Sequence, residues 1–235
     1  DLSGVGSADD YAALLRGAHV IVDQPVRIDM IRQGAAELAA GLGCDLKTED
    51  ANIAETAGLV EHPHLLVGTI EGRFMALPAE VLQSSIETHQ KYITLQSHDG
   101  SFSPHFVVVS NRLADDERDA VILAGNQRVL RARLADAEFF WVEDGRTPLA
   151  DFLPRLADIA FYTGLGTVHD KSQRLKKLAA DIAAAIPGAN AAIAARAGLL
   201  AKADLVTGMV GEFPELQGIM GGYYATSAGE NAATA

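Results

Sequence analysis

Apolar side chains recur in three- and four-residue steps through Ile28, Ile31, Ala35, Leu38 and Leu42. That is the period of one helical face, so residues 25–43 predict an amphipathic helix that Gly41 and Gly43 stop. Ahead of it, Ser7-Ala8-Asp9-Asp10 is a capping sequence for a short helix toward Arg16, and His19-Val20-Ile21-Val22 predicts a short buried strand. The period then changes. Leu65-Leu66-Val67-Gly68-Thr69-Ile70 predicts a strand, Glu71-Gly72 turns it, Phe74-Met75-Ala76-Leu77 follows, and Pro78 opens a helix at Ala79. Tyr92-Ile93-Thr94-Leu95-Gln96 and Phe106-Val107-Val108-Val109-Ser110 are joined through His98-Asp99-Gly100, a hairpin signal. Asp115-Asp116 starts a long helix. Up to about residue 150 the pattern is α+β with mostly antiparallel strands.

After Pro154 no alternation of period two remains. Ser172 precedes a helix carrying Leu175, Leu178, Ala179, Ile182 and Ile186, stopped by Pro187-Gly188. Another begins near Asn190 and runs through Ile193, Ala197 and Leu200 toward Met209. The fold expected is therefore α+β over residues 1–156, followed by an all-helical, alanine-rich part over 157–235. No internal repeat interrupts either part.

Composition narrows the function classes. Hydrophobic residues make up 49% and charged ones 21%, which fits a globular chain rather than a disordered one. A net charge of -12 opposes a whole-surface attraction to RNA or membrane but leaves a local basic patch open. The single cysteine, Cys44, excludes an internal disulfide framework and a multi-cysteine metal site, and reads as a small buried thiol. No apolar run is long enough to cross a bilayer, and DLSGVGSADD has neither the cationic start nor the apolar core of a secretion signal, so a cytoplasmic location is expected. The missing initiator methionine and the drift into TSAGENAATA suggest an internal piece of a longer chain.

Candidate chemistry is sparse. His62 and His64 share a strand face but lack the third donor a metal requires. His169-Asp170 looks like the pair of metal-dependent phosphohydrolases, yet His169 is the last histidine, and Asp170 suits a helix N-terminus instead. Ser84-Ser85 and Cys44 lack a nucleophile motif, while Gly218, Gly221 and Gly222 follow no strand and lack a phosphate-loop lysine. The reading is that no catalytic residue, metal ligand or cofactor site is present.

The stretch GNQRVLRARLADAEFFWVEDGR, 125–146, is different. Leu123, Leu130, Leu134, Ala137 and Trp141 form one buried stripe, and Arg128, Arg131 and Arg133 lie off it. Asp136 and Glu138 follow at helical spacings, so the arginines suit solvated or paired charges. They equally suit a cationic ridge facing phosphates, supported by Lys91, Arg155, Lys171, Arg174, Lys176 and Lys177.

Several stretches in order resemble the β subunit of bacterial glycyl-tRNA synthetase of the two-subunit α2β2 type. They are ETAGLVEHPHLLVGTIEGRFMALPAEVL (55–82), HQKYITLQSHDGSFSPHFVVVSN (89–111), GNQRVLRARLADAEFFWVEDGRTPLADFLPRL (125–156), FYTGLGTVHDKSQRL (161–175) and AARAGLLAKADLVTGMVGEFPELQGIMGGYYA (194–225). The resemblance implies a middle piece of a longer subunit: a module similar to the editing-type domain of the phenylalanyl enzyme, then a truncated HD-like helical domain. It implies that glycine activation with ATP and Mg belongs to the α subunit, and anticodon recognition to a domain beyond this chain. Partners implied are that α subunit, tRNA(Gly) and a second β subunit, with no membrane. In LLAKADL, Lys202 and Asp204 occupy the place of the family fold's His-Asp metal pair, and a charged lysine cannot be a ligand. The role expected is support of the acceptor side of tRNA, non-catalytic in itself. The alternatives are a scaffold for subunit assembly and an HD-type metal phosphohydrolase or hydrolytic editing activity. Glycine is the smallest amino acid, so steric exclusion already rejects larger ones and weakens the need for editing.

Overall fold

The computed structural model describes residues 6–235, and the chain divides into two compact units between Ala135 and Asp136. Residues 1–5, part of the stretch read above as lacking secretion features, lie outside the described residues.

In the first unit α1 (Ala8–Gly17) starts where the sequence places it, with Ser7 Oγ accepting from the Asp10 N–H at 3.3 Å. The expected strand at 19–22 does not form. His19 takes a left-handed φ of 62°, Val22 is exposed, and Ile21 alone is buried, its N–H donating to the Glu61 carbonyl at 2.9 Å. One hydrophobe plugging a core does not need a ladder. α2 (Gln24–Gly41) follows, with Pro25 in its first turn and Ile31, Ala35 and Ala39 buried. Leu42, expected on the same face, is exposed just past the helix end, before Gly43 at φ 68°.

β1 (Cys44–Leu46), α3 (Asp50–Leu59), β2 (Pro63–Thr69), the short α4 (Ala79–Gln83), β3 (Ile93–Ser97) and β4 (Phe102–Asn111) come next. The strands make one antiparallel sheet in the order β1-β3-β4-β2. The β3–β4 hairpin turns at Gly100, whose φ of 86° requires glycine. The register sets Ile93 opposite Val107 and Leu65 opposite Val109, so their common face meets α2 and α3 through Ile31, Ala35, Ile53 and Ala57. Cys44 is buried in the same cluster. On the opposite face Gly68 stands across from Phe106, whose ring fills the space a Cβ would occupy and stacks on Tyr92 at 5.3 Å. Gly72–Ala76, after β2, is a 3₁₀ turn that buries Phe74.

α5 (Asp116–Asp144) begins at Asp115, whose Oδ1 accepts from the Arg118 N–H at 3.2 Å. It contributes to both units. Leu130 and Leu134 are buried in the first; Ala137 is buried in the second, where Trp141 stacks on Tyr224 at 5.5 Å. The compositional change after Pro154 therefore lies beyond the point where the compact units divide, because the end of α5 packs with the helices that follow it.

The second unit is helical, with a small hairpin that no alternation announces: β5 (Ala160–Tyr162) and β6 (Gly166–Thr167). Its side chains are largely solvated on both faces, so there is no polar-apolar contrast to read. α6 (Val168–Ala184) starts four residues before the expected Ser172, which is buried inside it. The real cap is Thr167 paired reciprocally with Asp170. Leu178, Ile182 and Ile186, among the apolar positions at helical spacing, are each more than half exposed. α7 (Ala191–Leu200) is capped by Asn190 and packs on α6 where Gly198 approaches the Leu175 carbonyl. The helix expected to reach Met209 breaks after Leu200, and a 3₁₀ turn, Ala203–Val206, precedes α8 (Gly208–Glu212). Thr207 Oγ1 caps α8 by accepting from Val210 N–H, which ends any continuous helix there. α9 (Ile219–Ser227) completes the unit, burying Met220 and Tyr224.

Candidate functional site

Each candidate cation is fixed by its local element. In the first unit Lys91 lies just before β3 in a left-handed conformation, and its Nζ pairs with Glu55 Oε1 at 2.9 Å. Arg131 on α5 pairs with Glu71, over a cavity of 230 Å³ floored by Ile70, Phe74, Leu130 and Leu134. Arg133 is half-buried and also engaged, whereas Arg128 is exposed and has no ion-pair partner among the described residues. The three arginines therefore do not form one free ridge. Helical spacing turns Arg128 and Arg131 onto neighbouring faces, and only the second meets an acid.

The second unit treats its cations differently. Arg155 lies over the Phe152 ring, 5.6 Å from its centroid. Lys171 Nζ is 4.1 Å from the centroid of Phe161, and Arg174 approaches the same ring at 5.9 Å while donating to the Leu165 carbonyl at 3.0 Å. Lys176 and Lys177, a turn further along α6, are exposed and have no ion-pair partner among the described residues. Between Ala160 and Ala180 the only acid is Asp170. Its carboxylate accepts from the Thr167 N–H at 2.8 Å and from Thr167 Oγ1 at 3.0 Å, and these bonds hold its pKa below the ordinary value. The head of α6 is thus a cationic surface whose one acid is spent on the helix cap.

Asp170 and His169 do not form a metal pair. His169 Nε2 faces Gln173 at 3.5 Å, and Asp170 is the cap. At the degenerate position Lys202 Nζ lies 3.5 Å from Gln217 Oε1, while Asp204 is 1% exposed. Asp204 Oδ2 accepts from the Gly218 N–H and, at 3.0 Å, the Gly221 N–H; Oδ1 is buried without a hydrogen bond. Gly218 and Gly221 therefore hold a protein carboxylate, with Gly218 at φ 85° as α9 begins, while the Gly222 N–H donates to the Gly218 carbonyl. Asp144, at the end of α5, accepts from Gly208 N–H at 2.9 Å, Met209 N–H at 2.8 Å and Tyr224 Oη at 3.2 Å. Burial first, then the Asp144 charge, pushes the Tyr224 phenol well above its ordinary value. These carboxylates are engaged by backbone and phenol donors, and no group of three or more potential metal ligands occurs among the described residues. The donor set does not fit a divalent-metal hydrolase centre.

His64 in β2 and His62 just before it are likewise held by structural contacts. His64 Nε2 pairs with Asp119 Oδ2 at 2.7 Å, joining β2 to α5, and His62 packs edge-on against His19. Ser84 and Ser85 are buried in the π-helical turn after α4. Sequence reasoning passed over Phe161 and Tyr162, which the hairpin displays, and Asp144. The signal available for the first two was Thr-Gly-Leu-Gly directly after them, with Gly164 and Gly166 at φ 82° and 77°. For Asp144 there was none, since its partners lie more than sixty residues away.

Comparison with known proteins follows the same line. The family model described as Glycyl-tRNA synthetase beta subunit matches residues 2–235. The "Glycine--tRNA ligase beta subunit" of Rhodospirillum centenum is 50% identical over 230 residues, covering 96% of this chain and 32% of that protein. Proteins of the same name from Magnetococcus marinus and Pseudomonas fluorescens are 44% and 45% identical, covering 94% and 96% of the chain and 32% and 33% of their own lengths. The chain spans about a third of the length of the curated relatives it matches.

Proposed function

The chain belongs to the family of glycyl-tRNA synthetase beta subunits, and from that premise we propose that it supports the acceptor side of tRNA(Gly) for glycylation by the assembled ligase. Bond-making with ATP and Mg²⁺ takes place on the alpha subunit, and this piece contributes binding surface and positioning without catalysing a step. The observation that carries the reading is the head of α6, where Lys171, Arg174, Lys176 and Lys177 have no ion-pair partner among the described residues and the neighbouring Asp170 is committed to the helix cap, in a chain of net charge -12. Phosphate contacts of this kind give binding that weakens steeply with salt and depends little on base identity. An A-form stem would be followed along its backbone rather than through its bases.

The experiment uses full-length beta subunit assembled with alpha. Replacing Lys171, Arg174, Lys176 and Lys177 together by alanine raises the KM for tRNA, while ATP–pyrophosphate exchange with glycine, measured without tRNA, stays at the parental rate. An unchanged KM in a folded tetramer removes this surface from the reaction.

One observation favours a second role, as an assembly scaffold. Leu178, Ile182 and Ile186 follow one another along α6 and its C-terminal end, each more than half exposed, a face suited to protein contact. A crosslinking map of the tetramer with tRNA separates the two: adducts from RNA to α6 support tRNA binding, and protein adducts alone support the scaffold.

A further inference from the structure

The hairpin β5–β6 is small for what it displays. Tyr162 is 70% exposed and Phe161 38%, and Leu165 at the turn is half exposed. A two-stranded hairpin is marginal by itself, and a mobile one would not hold large rings in water. This one is fastened at several points. Leu165 N–H donates to Tyr162 carbonyl at 2.9 Å, closing the turn, and Val168 N–H donates to Ile159 carbonyl at 2.9 Å, tying its base. Arg174 Nη1 holds the Leu165 carbonyl from α6, and Thr167, the last hairpin residue, caps α6. Gly164 and Gly166 supply the two left-handed residues that the turn needs.

The pairing register shifts between Ala160 and Tyr162, which interrupts strict alternation at Phe161. Phe161 carries Lys171 and Arg174 against its ring, and Tyr162 presents an open ring at the turn whose Leu165 carbonyl Arg174 holds. No aromatic partner to Tyr162 occurs among the described residues. A stacking surface thus belongs to the same small hairpin that Lys171 and Arg174 contact, with Lys176 and Lys177 further along α6. Surfaces that take single-stranded nucleic acid combine these parts: aromatic rings on which bases stack and cations that follow the phosphates.

We propose that the exposed ring of Tyr162, with Phe161, Lys171 and Arg174 beside it, binds unpaired nucleotides of RNA, the ring stacking on a base and the cations holding the adjoining phosphates. This rests on the RNA-binding reading above and deepens it: the cations alone would serve any phosphate backbone, whereas the ring selects nucleotides whose faces are free. The unpaired 3′ end of tRNA has that property and a paired stem does not.

The test compares two RNAs, intact tRNA(Gly) and the same tRNA trimmed of its unpaired 3′ nucleotides, by direct binding to the assembled ligase at fixed salt. Tyr162→Ala weakens binding of the intact RNA about 10-fold, as loss of one base stack does, and leaves the trimmed RNA unchanged. Tyr162→Trp keeps the parental affinity, because stacking needs a ring and no particular hydroxyl. Equal affinity of Tyr162→Ala and parent for intact tRNA overturns the proposal, as does an equal loss on both RNAs. Weakened tetramer assembly with tRNA affinity preserved would also overturn it, marking the ring as a protein contact. A double variant, Lys176→Ala with Lys177→Ala, keeps the two readings apart. If it weakens both RNAs while Tyr162→Ala weakens neither, phosphate binding stands and the stacking site falls.

Discussion

The two units of this chain place several of their charges differently. In the first, Lys91 pairs with Glu55, Arg131 with Glu71 and Arg32 with Asp50, although Lys47 and Arg73 lie over rings there and Arg196 pairs with Glu230 in the second. The first unit's sheet packs on α2 and α3 through an apolar cluster, and the polar side chains it buries among the described residues are hydroxyls such as Thr94 and Ser103. In the second, the acids Asp144 and Asp204 lie buried on backbone N–H groups, while Lys171, Arg174 and Arg155 lie over aromatic rings. A chain of -12 net charge can thus present a cationic surface by taking some of its acids inside. Burying a carboxylate is costly unless its hydrogen bonds are made, so the second unit depends on a few polar contacts that the first does not need.

The largest effect expected from that difference is at Asp144. Asp144→Ala leaves Gly208 N–H, Met209 N–H and Tyr224 Oη without their acceptor and costs about 4 kcal/mol, with Asp144→Asn recovering part of it. Urea unfolding of the chain reads this directly. A loss below about 1 kcal/mol would break the contrast, since the carboxylate would then not be holding the unit together.

Next come two glycines. A Cβ on Gly198 would lie 2.7 Å from the Leu175 carbonyl oxygen, so Gly198→Ala must part α6 from α7; the cost, about 2 kcal/mol, exceeds the gain of about 1 kcal/mol from alanine's helix propensity. At Gly68 a Cβ would lie 2.3 Å from the Phe106 ring, and Gly68→Ala costs about 1–3 kcal/mol by displacing it from Tyr92. Phe106→Leu together with Gly68→Ala should recover part of that loss. No such partner exists for Gly198, whose obstacle is main chain, and equal rescue of both would blur the distinction between a ring-filled and a backbone-filled gap.

Alkali supplies a third comparison. Burial pushes the Tyr92 phenol up to about 12, and the Tyr224 phenol is raised as well, with the charge of Asp144 adding to burial. The unfolded chain loses these protons near pH 10, so the stability they contribute is full below that value and is lost as pH rises toward the folded pKa. Tyr92→Phe flattens the decline between pH 10 and 12. At the acid end His64 foremost, through its hydrogen bond, holds Asp119 below the ordinary carboxylate value. That contribution is present above the unfolded pKa and is lost as pH falls through the folded one. Asp119→Asn should remove it from an acid titration of unfolding.

The smallest effect is on the salt dependence of tRNA binding by the assembled ligase. Removing Lys176 and Lys177 should reduce the slope of log affinity against log salt by about 1 to 2, whereas Arg131→Ala, already paired with Glu71, should change it by less. Equal slopes would mean that ion pairing inside the first unit does not silence its arginines.

The legible features of the fold were those with a local cause. Ser7, Asp115 and Asn190 cap helices where their side chains can reach the next turn, and Asp99-Gly100 turns the hairpin because glycine accepts the positive φ. The strand expected at 19–22 failed because a run of branched apolar residues cannot say whether a pairing partner exists. The helix expected through Met209 failed for a similar reason: alanine-rich periodicity favours continuation, whereas the 3₁₀ turn Ala203–Val206 places Asp204 where its Oδ2 accepts from Gly218 and Gly221 further along the chain. For the candidate site, the sequence marked every cation of α6 but could not separate Lys176 and Lys177 from Lys91 and Arg131, which meet acids from other elements.

What the sequence determined by itself is the family, the α+β to helical order and the concentration of cations after residue 170, since identity, period and charge are properties of neighbours along the chain. Only the tertiary structure decided which cations keep their charge available, which acids are buried, and that Phe161 and Tyr162 stand in water rather than in a core. Each of those outcomes depends on a through-space partner, or on the lack of one among the described residues, and sequence spacing carries no record of either.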